Sequence, residues 1–235
     1  MTALAPFPED WTTALAVVAH PDDMEYGAAA AVARWTGSGK AVAYAMVTDG
    51  EAGIADLAPE VVGPIRREEQ RAACREVGVD AVEFLGLSDG LLVEGLPLRA
   101  ELAAAIRRHR PEVVLSINFR DSWGGPSWNH VDHRVLGRCL LDAVRDAANP
   151  WLFTDRGPAW SGVRFTAFSG SPQPTHVVDV AASFDAGVRS LAAHRLYLGH
   201  LGGDMADPDP FLRAGATAAG AANGLELAST FELIS

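Results

Sequence analysis

The segment ALAVVAHPDD, residues 14–23, is the clearest indication of the fold class of this chain. Residues 14–19 form a continuous apolar run, which is typical of a strand buried on both faces of a parallel sheet. The run ends abruptly at His20-Pro21, and a helical pattern from Glu25 to Trp35 follows and ends at Gly37-Ser38-Gly39. The pattern predicts a buried strand, a short polar loop and a helix, in that order.

The strand, loop and helix recur along the first 150 residues. Further strands are predicted at 42–47, 82–85 and 113–117, and further helices at 64–75, 98–109 and 131–148. This alternation implies right-handed crossovers and a mostly parallel sheet covered on both faces. We therefore predict an α/β fold, specifically a Rossmann-like three-layer α/β/α sandwich.

The chain is expected to form one domain over residues 1–235. Its Rossmann-like core spans about 14–150, and a C-terminal extension covers 151–235. The extension begins with a stretch rich in Pro and Gly. A strand near 177–180, a helix near 184–197 and a closing apolar segment are expected after it.

The composition excludes several classes of partner. Among the 235 residues, 30 Asp and Glu stand against 19 Lys and Arg, a net charge of −11, so nucleic acid and anionic membranes are poor partners. The sequence shows neither a signal-peptide pattern nor an apolar run long enough to span a membrane. Cys74 and Cys139 fall in helical patterns, where buried thiols are expected. We expect a cytoplasmic protein, and a homo-oligomer is compatible with the sequence.

The loop after the first strand carries His20-Pro21-Asp22-Asp23. In open parallel sheets, ligands bind beyond the carboxyl ends of the strands, so this loop lies at the functional edge. Taken alone, the cluster fits a metal site and a helix cap equally well. In the second case Asp22 or Asp23 would form an Asx turn and accept from free N–H groups.

A second cluster, Asn129-His130-Val131-Asp132-His133, favours the metal site. It begins the helix that follows the strand at 113–117, and its two histidines are three residues apart, so they can face one way. Two histidines and a carboxylate on converging loops form a three-ligand site with open positions, as catalytic zinc does. Asp132 is placed to orient a histidine ring through its N–H.

Five segments also occur in the order found in a known family. They are AHPDDMEYG at 19–27, VTDGEAG at 47–53, RREEQRAACREVGV at 66–79, FLGLSDG at 84–90 and NHVDHRVLG at 129–137. With these segments the chain resembles the LmbE-like, or PIG-L-like, metal-dependent N-deacetylases over about residues 14–150. The resemblance implies a hydrolase that removes an N-acyl group, in the first place acetyl, from a small amino-sugar substrate or its conjugate.

The resemblance also implies roles for individual residues. His20, Asp23 and His133 would hold Zn²⁺ or another divalent metal, Asp22 would be the general base, and His130 would stabilise the oxyanion or protonate the leaving amine. The family often has a Ser-Gln pair after a C-terminal histidine, where this chain has Leu196-Tyr197.

In this chain the corresponding C-terminal histidine is His194, and the Ser-Gln pair is absent after it. We therefore expect it to be a buried helical residue without a role in the chemistry.

Other polar residues near the strand ends have two interpretations each. For Arg66 the resemblance implies contact with substrate hydroxyls, and the alternative is an ion pair with Glu68 or Glu69 on its own helix. Asp89 in the SDG segment is expected either to bind a sugar hydroxyl or to form a turn.

Asp49 and Glu51 follow the second strand, and we expect them either to orient the site or to bind substrate. Trp123 and Trp128 flank a Gly-Gly-Pro loop before the second cluster, and their rings stack on a sugar face or form the core of a lid.

Two alternative functions remain open from the sequence. On the same scaffold, the enzyme would be an amidase of a larger acyl or thiol conjugate. The second alternative, a non-catalytic nucleotide-binding module, is disfavoured, because the first strand is followed by HPDD and not by a Gly-rich phosphate loop.

Overall fold

The computed structural model describes residues 4–235, whose strands form a single sheet. The strands are β1 (Ala5–Pro6), β2 (Thr13–Val18), β3 (Ala41–Thr48), β4 (Ala81–Leu87), β5 (Val113–Ile117), β6 (Phe165–Ser169), β7 (His176–Asp179) and β8 (Ala228–Ile234). The helices are α1 (Ala29–Gly37), α2 (Pro59–Glu76), α3 (Leu96–His109), α4 (Val131–Ala148), α5 (Phe184–Ala192), α6 (Arg195–His200) and α7 (Pro208–Asn223), with a 3₁₀ turn at Asp204–Ala206.

The sheet has the order β1-β7-β8-β6-β5-β2-β3-β4. All neighbouring strands are parallel except at β8, which is antiparallel to β6 and β7. β2 lies between β3 and β5, so the loops that follow β2 and β5 leave the sheet side by side at the same edge. The predicted fold class is confirmed.

Strand β2 separates the two halves of the core. Ala14, Ala16 and Val18 point to one face of the sheet, where α1, α2 and α5 contribute to the same apolar cluster. Leu15 and Val17 point to the other face, where they meet α3 and α4. Both faces of β2 are thus buried, which is why its sequence is continuously apolar instead of alternating.

Three helix predictions need correction. The helix predicted at 25–35 begins at Ala29, because residues 21–28 form turns. The helix predicted at 64–75 begins at Pro59, whose ring suits the first helical position, and Pro64 lies inside it. The helix predicted at 184–197 is two helices, α5 and α6, separated at Ala193-His194.

The C-terminal residues contribute more regular structure than expected. β6 lies in the stretch that the sequence indicates as a Pro- and Gly-rich loop, and the closing segment forms α7 and β8. Strand β7 agrees with the expected strand within one residue. β6, β7 and β8 all join the sheet that β2 to β5 begin.

Both cysteines, Cys74 and Cys139, are buried free thiols, as expected. None of the helices between residues 4 and 235 combines the length and apolar composition that a membrane span needs.

Candidate active site

The loop after β2 turns sharply and carries its polar side chains inward. The backbone N–H groups of Glu25 and Tyr26 both donate to the carbonyl of Asp22, at 2.9 and 3.1 Å, and Asp22 has a φ of 93°. Non-glycine residues adopt this conformation rarely, and such strain concentrates at functional sites. The Asp23 carboxylate accepts from the N–H of His20 at 2.9 Å. Because α1 begins at Ala29 without a side-chain cap, the helix-cap interpretation of this cluster is wrong.

The second histidine cluster is held by Asn129, a residue that the sequence prediction did not assign a role. Its amide nitrogen donates to the carbonyls of Asn118 and Arg120 at 2.7 and 2.9 Å. Its oxygen accepts from the N–H of His130 at 2.8 Å and lies 2.9 Å from Nδ1 of His133. Since this oxygen can only accept, the proton of His133 belongs on Nδ1, and Nε2 presents a lone pair. The signal in the sequence is the position of Asn129 directly before His130.

The two loops meet at His20, Asp23 and His133. Nδ1 of His20 lies 3.2 Å from Nε2 of His133, and that Nε2 lies 3.0 Å from Oδ1 of Asp23. The second oxygen of Asp23 is 3.6 Å from Nδ1 of His20. The structure thus brings together the three residues that the sequence predicts as metal ligands.

His130 lies at the edge of the same group. It is the N-cap of α4, where its Nδ1 accepts from the N–H of Asp132 at 3.2 Å. Its ring centroid is 5.0 Å from that of His20 and 5.5 Å from that of His133. Partial burial and then the neighbouring His20 and His133 lower the pKa of His130. The neutral ring therefore carries its proton on Nε2, which is free to donate.

The other nitrogen of His20 faces two further carboxylates. Nε2 lies 3.0 Å from Oδ1 of Asp89 and 3.2 Å from Oδ2 of Asp132. Asp132 is in turn fixed by the N–H groups of Gly90 and Leu92, at 2.7 and 3.1 Å. Asp89 thus reaches the histidine cluster, which the turn interpretation does not anticipate.

Three carboxylates, those of Asp23, Asp89 and Asp132, surround the ring of His20. Burial by itself lowers the pKa of His20, but Asp23, Asp132 and Asp89 outweigh burial and hold that pKa well above its ordinary value. Burial alone would raise the pKa of Asp23, yet His133 and His20 keep it far below its usual range. The pocket therefore stabilises positive charge at its centre.

A divalent metal fits this donor set. The lone pair of His133 Nε2 and a carboxylate oxygen of Asp23 face each other at 3.0 Å, an arrangement that needs a shared proton or a cation. Four ligands about 2.0–2.1 Å from a tetrahedral zinc lie about 3.3 Å from one another. Nε2 of His133 agrees with that spacing toward Nδ1 of His20, at 3.2 Å, and toward Oδ1 of Asp23, at 3.0 Å, while the contact of Asp23 with Nδ1 of His20 is through Oδ2. The ring nitrogens of His20, His130 and His133 also lie within 4.8 Å of one another, so His130 is an alternative third ligand.

Asp22 lies beside the ligand group but faces α2. Its Oδ2 accepts from the guanidinium of Arg66 at 3.0 Å, and its N–H donates to Oε1 of Gln70 at 3.0 Å. Burial raises the pKa of Asp22 to about 7, although Arg66 acts in the opposite direction. A carboxylate whose pKa lies near 7 suits a general base.

Arg66 forms neither of the contacts predicted for it on its own helix. Glu68 pairs with Arg71, and an oxygen of Glu69 accepts from the N–H of Leu196. The guanidinium of Arg66 is buried, donates to the carbonyls of Pro21 and Gly50, and lies 4.3 Å above the ring of Tyr197. The ion pair with Glu68 or Glu69 is therefore wrong, because Arg66 points across the fold to Asp22.

Gln70 is a second residue that the sequence prediction missed. Besides accepting from Asp22, it donates to Oε1 of Glu25 at 3.0 Å. Arg66 and Gln70 are four residues apart on α2, and this spacing on one helix face is the signal that points to both.

Asp49 lies outside the histidine cluster and pairs with Arg67 at 2.8 Å, so it does not contact the proposed ligands, and its binding of substrate stays a prediction. Glu51 is connected to the histidine cluster through Asp89, because its Oε1 accepts from the N–H of Asp89 at 2.9 Å.

The two tryptophans differ in their positions. The ring of Trp123 is perpendicular to that of His133, with centroids 5.9 Å apart, at the rim of the site. Trp128 is 68% exposed and lies under the guanidinium of Arg134 at 4.8 Å. The loop has no core formed by both rings, so the lid-core interpretation is wrong.

His194 is fully buried, as expected, but it lies at the break between α5 and α6 and not within a helix. Burial lowers its pKa to about 3, and its Nε2 is 3.9 Å from Oε2 of Glu25.

Comparison with known proteins places this chain in a family. Residues 15–144 match the family model described as PIG-L, GlcNAc-PI de-N-acetylase. The chain is 30% identical over 189 residues to a diacetylchitobiose deacetylase of Thermococcus kodakarensis, covering 77% of this chain and 68% of the relative. It is 31% identical over 170 residues to a 1D-myo-inositol 2-acetamido-2-deoxy-alpha-D-glucopyranoside deacetylase of Saccharopolyspora erythraea, covering 61% of this chain and 60% of the relative.

The chain therefore spans about two thirds or less of the length of these relatives. Among solved structures, the N,N'-diacetylchitobiose deacetylase of Pyrococcus horikoshii has the same fold. Its TM-score is 0.85 at 24% identity, and the alignment covers 96% of this chain and 85% of that one.

Proposed function

Because the chain belongs to the PIG-L, GlcNAc-PI de-N-acetylase, family of deacetylases, we propose that it is a zinc-dependent hydrolase that removes an N-acetyl group from an amino sugar or its conjugate. The observation that carries the proposal is the convergence of His20, Asp23 and His133 from two loops, with the buried carboxylate of Asp22 beside them. The relatives named above are deacetylases of N-acetylated sugars, which supports the substrate class.

His20, Asp23 and His133 would hold the metal. When bound, zinc supplies a Lewis acid that activates water and polarises the acyl oxygen. Asn129 keeps Nε2 of His133 unprotonated for binding, and Asp132 keeps His20 in place from the opposite nitrogen. The protein thus orients both imidazoles before any ligand arrives.

Asp22 would accept the proton of the attacking water through Oδ1, because Oδ2 is occupied by Arg66. Its pKa near 7 lets it accept that proton and then release it to the nitrogen of the leaving amine. The products are a carboxylate and a free amine.

His130 would stabilise the oxyanion. Its Nδ1 is occupied by the N–H of Asp132, so the proton on Nε2 can be donated to the developing negative charge. Loss of one such donor costs about 100- to 1000-fold in kcat in comparable sites.

The test uses the purified protein, its zinc content and its release of acetate from N-acetylglucosamine conjugates and diacetylchitobiose. We expect stoichiometric zinc, activity that a chelator removes, and a loss of about 10²- to 10⁴-fold in Asp22→Asn with zinc retained. Asp80→Asn, at an exposed carboxyl directly before β4, is the matched control and should leave activity unchanged. Full activity in Asp22→Asn would remove Asp22 from the mechanism.

A second pair of variants separates the ligands from the oxyanion donor. Asp23→Ala is expected to lose zinc, whereas His130→Ala should retain zinc and lose turnover. The reverse pattern would make His130 the third ligand in place of Asp23.

A further inference from the structure

A large apolar cavity adjoins the candidate active site. Its volume is about 1010 Å³, and His133 and Trp123 are among the residues that line it. It extends from them to the underside of α7. Ligand pockets for drug-sized molecules have volumes of about 300–1,000 Å³, so this one exceeds what an acetyl group needs.

The walls of the cavity are mostly apolar. Phe184 and Gly187 of α5 line it on one side, and Phe211, Leu212 and Ala216 of α7 on another. Among the described residues that line it there is no Lys or Arg, while the acidic side chains of Glu25, Asp204 and Asp207 are present. A phosphorylated or carboxylated group is therefore a poor occupant, and an uncharged apolar group suits the walls.

Helix α7 covers the cavity without filling it. Of its 16 residues only Gly220 is buried, although the helix is rich in alanine and carries Phe211 and Leu212. A Cβ added at Gly215 would meet no atom within 4 Å. The apolar face of α7 is thus only partly buried: Leu212 and Ala216 touch the apolar core, and the space beside them belongs to the cavity.

The segment before α7 contacts the loop after β2, which carries the proposed catalytic residue Asp22. The hydroxyl of Tyr26 donates to the carbonyl of Met205 at 3.0 Å, and its ring meets that of Phe211 edge to face at 5.7 Å. Tyr26 follows Asp22 by only four residues. The cavity and the proposed catalytic loop therefore share a wall, and a substrate can extend from one into the other.

We propose that the cavity under α7 binds an uncharged apolar chain of the substrate, such as an alkyl group, while the amide is held at His20, Asp23 and His133. The inference rests on the proposed function and names a substrate class, amphiphilic N-acyl amino sugars, within it. The apolar chain belongs either to the acyl group or to the aglycone of the sugar, and the experiment distinguishes these sources.

The first experiment measures kcat/KM for two series of substrates. One contains glucosamine N-acylated with chains of two to eight carbons, and the other contains N-acetylglucosamine with methyl to octyl aglycones. We expect kcat/KM to rise by about fourfold per methylene in one series, mainly through a lower KM, until the cavity is full. Flat behaviour in both series would overturn the proposal.

Two cavity-filling variants locate the effect. Ala216→Leu and Gly215→Leu should flatten the rise with chain length. Ala218→Leu, at an exposed position of α7 that does not line the cavity, is the matched control and should keep the full rise. Thermal unfolding of each variant shows that it is folded, and an undiminished rise in Ala216→Leu and Gly215→Leu would contradict the assignment.

A binding measurement separates this inference from the proposed function. Calorimetric titration with octyl glucoside and methyl glucoside requires no turnover. Tighter binding of the octyl compound, weakened in Ala216→Leu but not in Ala218→Leu, together with no hydrolysis of any substrate, would support the cavity and refute the deacetylase. Hydrolysis of N-acetylglucosamine conjugates with equal binding of both glucosides would do the opposite.

Discussion

The guanidinium of Arg66 lies 3.0 Å from the carboxylate of Asp22, and neither side chain is more than 7% exposed. The pair joins α2 to the loop after β2. The guanidinium occupies Oδ2 of Asp22, and Oδ1 has no donor among the described residues. Arg66 therefore positions the proposed base, and its contacts with Pro21 and Gly50 hold two loops of the site together.

Arg66→Met should destabilise the protein far more than Arg67→Met, its neighbour on α2. Removing one partner of a buried ion pair costs about 3–5 kcal/mol, whereas the half-exposed pair of Arg67 with Asp49 contributes less than about 1 kcal/mol. Denaturant unfolding of the two variants measures the difference. Equal losses would mean that Asp22 does not depend on Arg66.

The same variant should change the pH dependence of activity. Arg66 lowers the pKa of Asp22, so its removal raises that pKa, and the base becomes ionised only at higher pH. The acid limb of the profile of kcat/KM against pH should move upward in Arg66→Met and stay in place in Arg67→Met.

Gly50→Ala tests how closely the second loop approaches Arg66. Gly50 has a φ of +62°, and a Cβ there would overlap with the guanidinium of Arg66. Gly39 has a φ of +89° with no atom within 4 Å of an added Cβ, so Gly39→Ala carries only the conformational cost of about 1–2 kcal/mol. We expect Gly50→Ala to lose more stability than Gly39→Ala and to lose activity as well. Wild-type kcat/KM in Gly50→Ala would show that the displacement of Arg66 is harmless.

Asp132→Asn should weaken zinc binding by about 10- to 100-fold, because an oxygen that faces Nε2 of His20 is lost or turned away. Both oxygens of Asp132 accept from backbone N–H groups, so the new amide also meets a donor. Competition with a chromogenic chelator measures the affinity. Asp142→Asn, 59% exposed on the same helix, is the control. Unchanged affinity in Asp132→Asn would limit Asp132 to holding the loop at Gly90.

Glu25 should make the stability of the protein depend on pH. Burial raises its pKa from 4.5 to about 7, so the folded protein retains a proton that the unfolded chain releases in this range. The contribution of Glu25 is fully present below about pH 4.5 and is lost as pH rises to about 7. Glu25→Gln removes this dependence and should be more stable than the wild type at pH 8, by at most about 3 kcal/mol.

Unfolding at pH 5 and pH 8 measures this difference, with the exposed Glu60→Gln as the control. If the difference in the free energy of unfolding between Glu25→Gln and the wild type were the same at both pH values, the raised pKa of Glu25 would be contradicted.

Much of the fold could be predicted because the strands of the first 150 residues are short, continuously apolar runs that end at polar loops. The C-terminal part was less predictable. β6 lies in a stretch rich in Pro and Gly, and α7 is so poor in large apolar residues that its pattern does not distinguish a helix from a loop. The start of α2 was misplaced because Pro64, which usually begins a helix, lies within one.

The candidate site shows the same division. The two clusters around His20 and His133 could be recognised because each follows a strand and its donor types suit a metal. Arg66 and Asp89 could be selected as residues of interest, but their partners could not be predicted. Arg66 reaches Asp22 and Asp89 reaches His20 over 44 and 69 positions of the chain, and loop paths determine such contacts.

The order of apolar and polar segments is sufficient to predict a mostly parallel α/β sheet with histidines and carboxylates at its edge. The orientation of His133 through Nε2, the contact of Arg66 with Asp22 and the cavity beneath α7 can be seen only in the folded chain. Strand formation depends on local patterns of burial, which a sequence displays directly. Side-chain contacts and cavities depend on the relative positions of segments that are distant in the sequence, and local sequence patterns do not specify those positions.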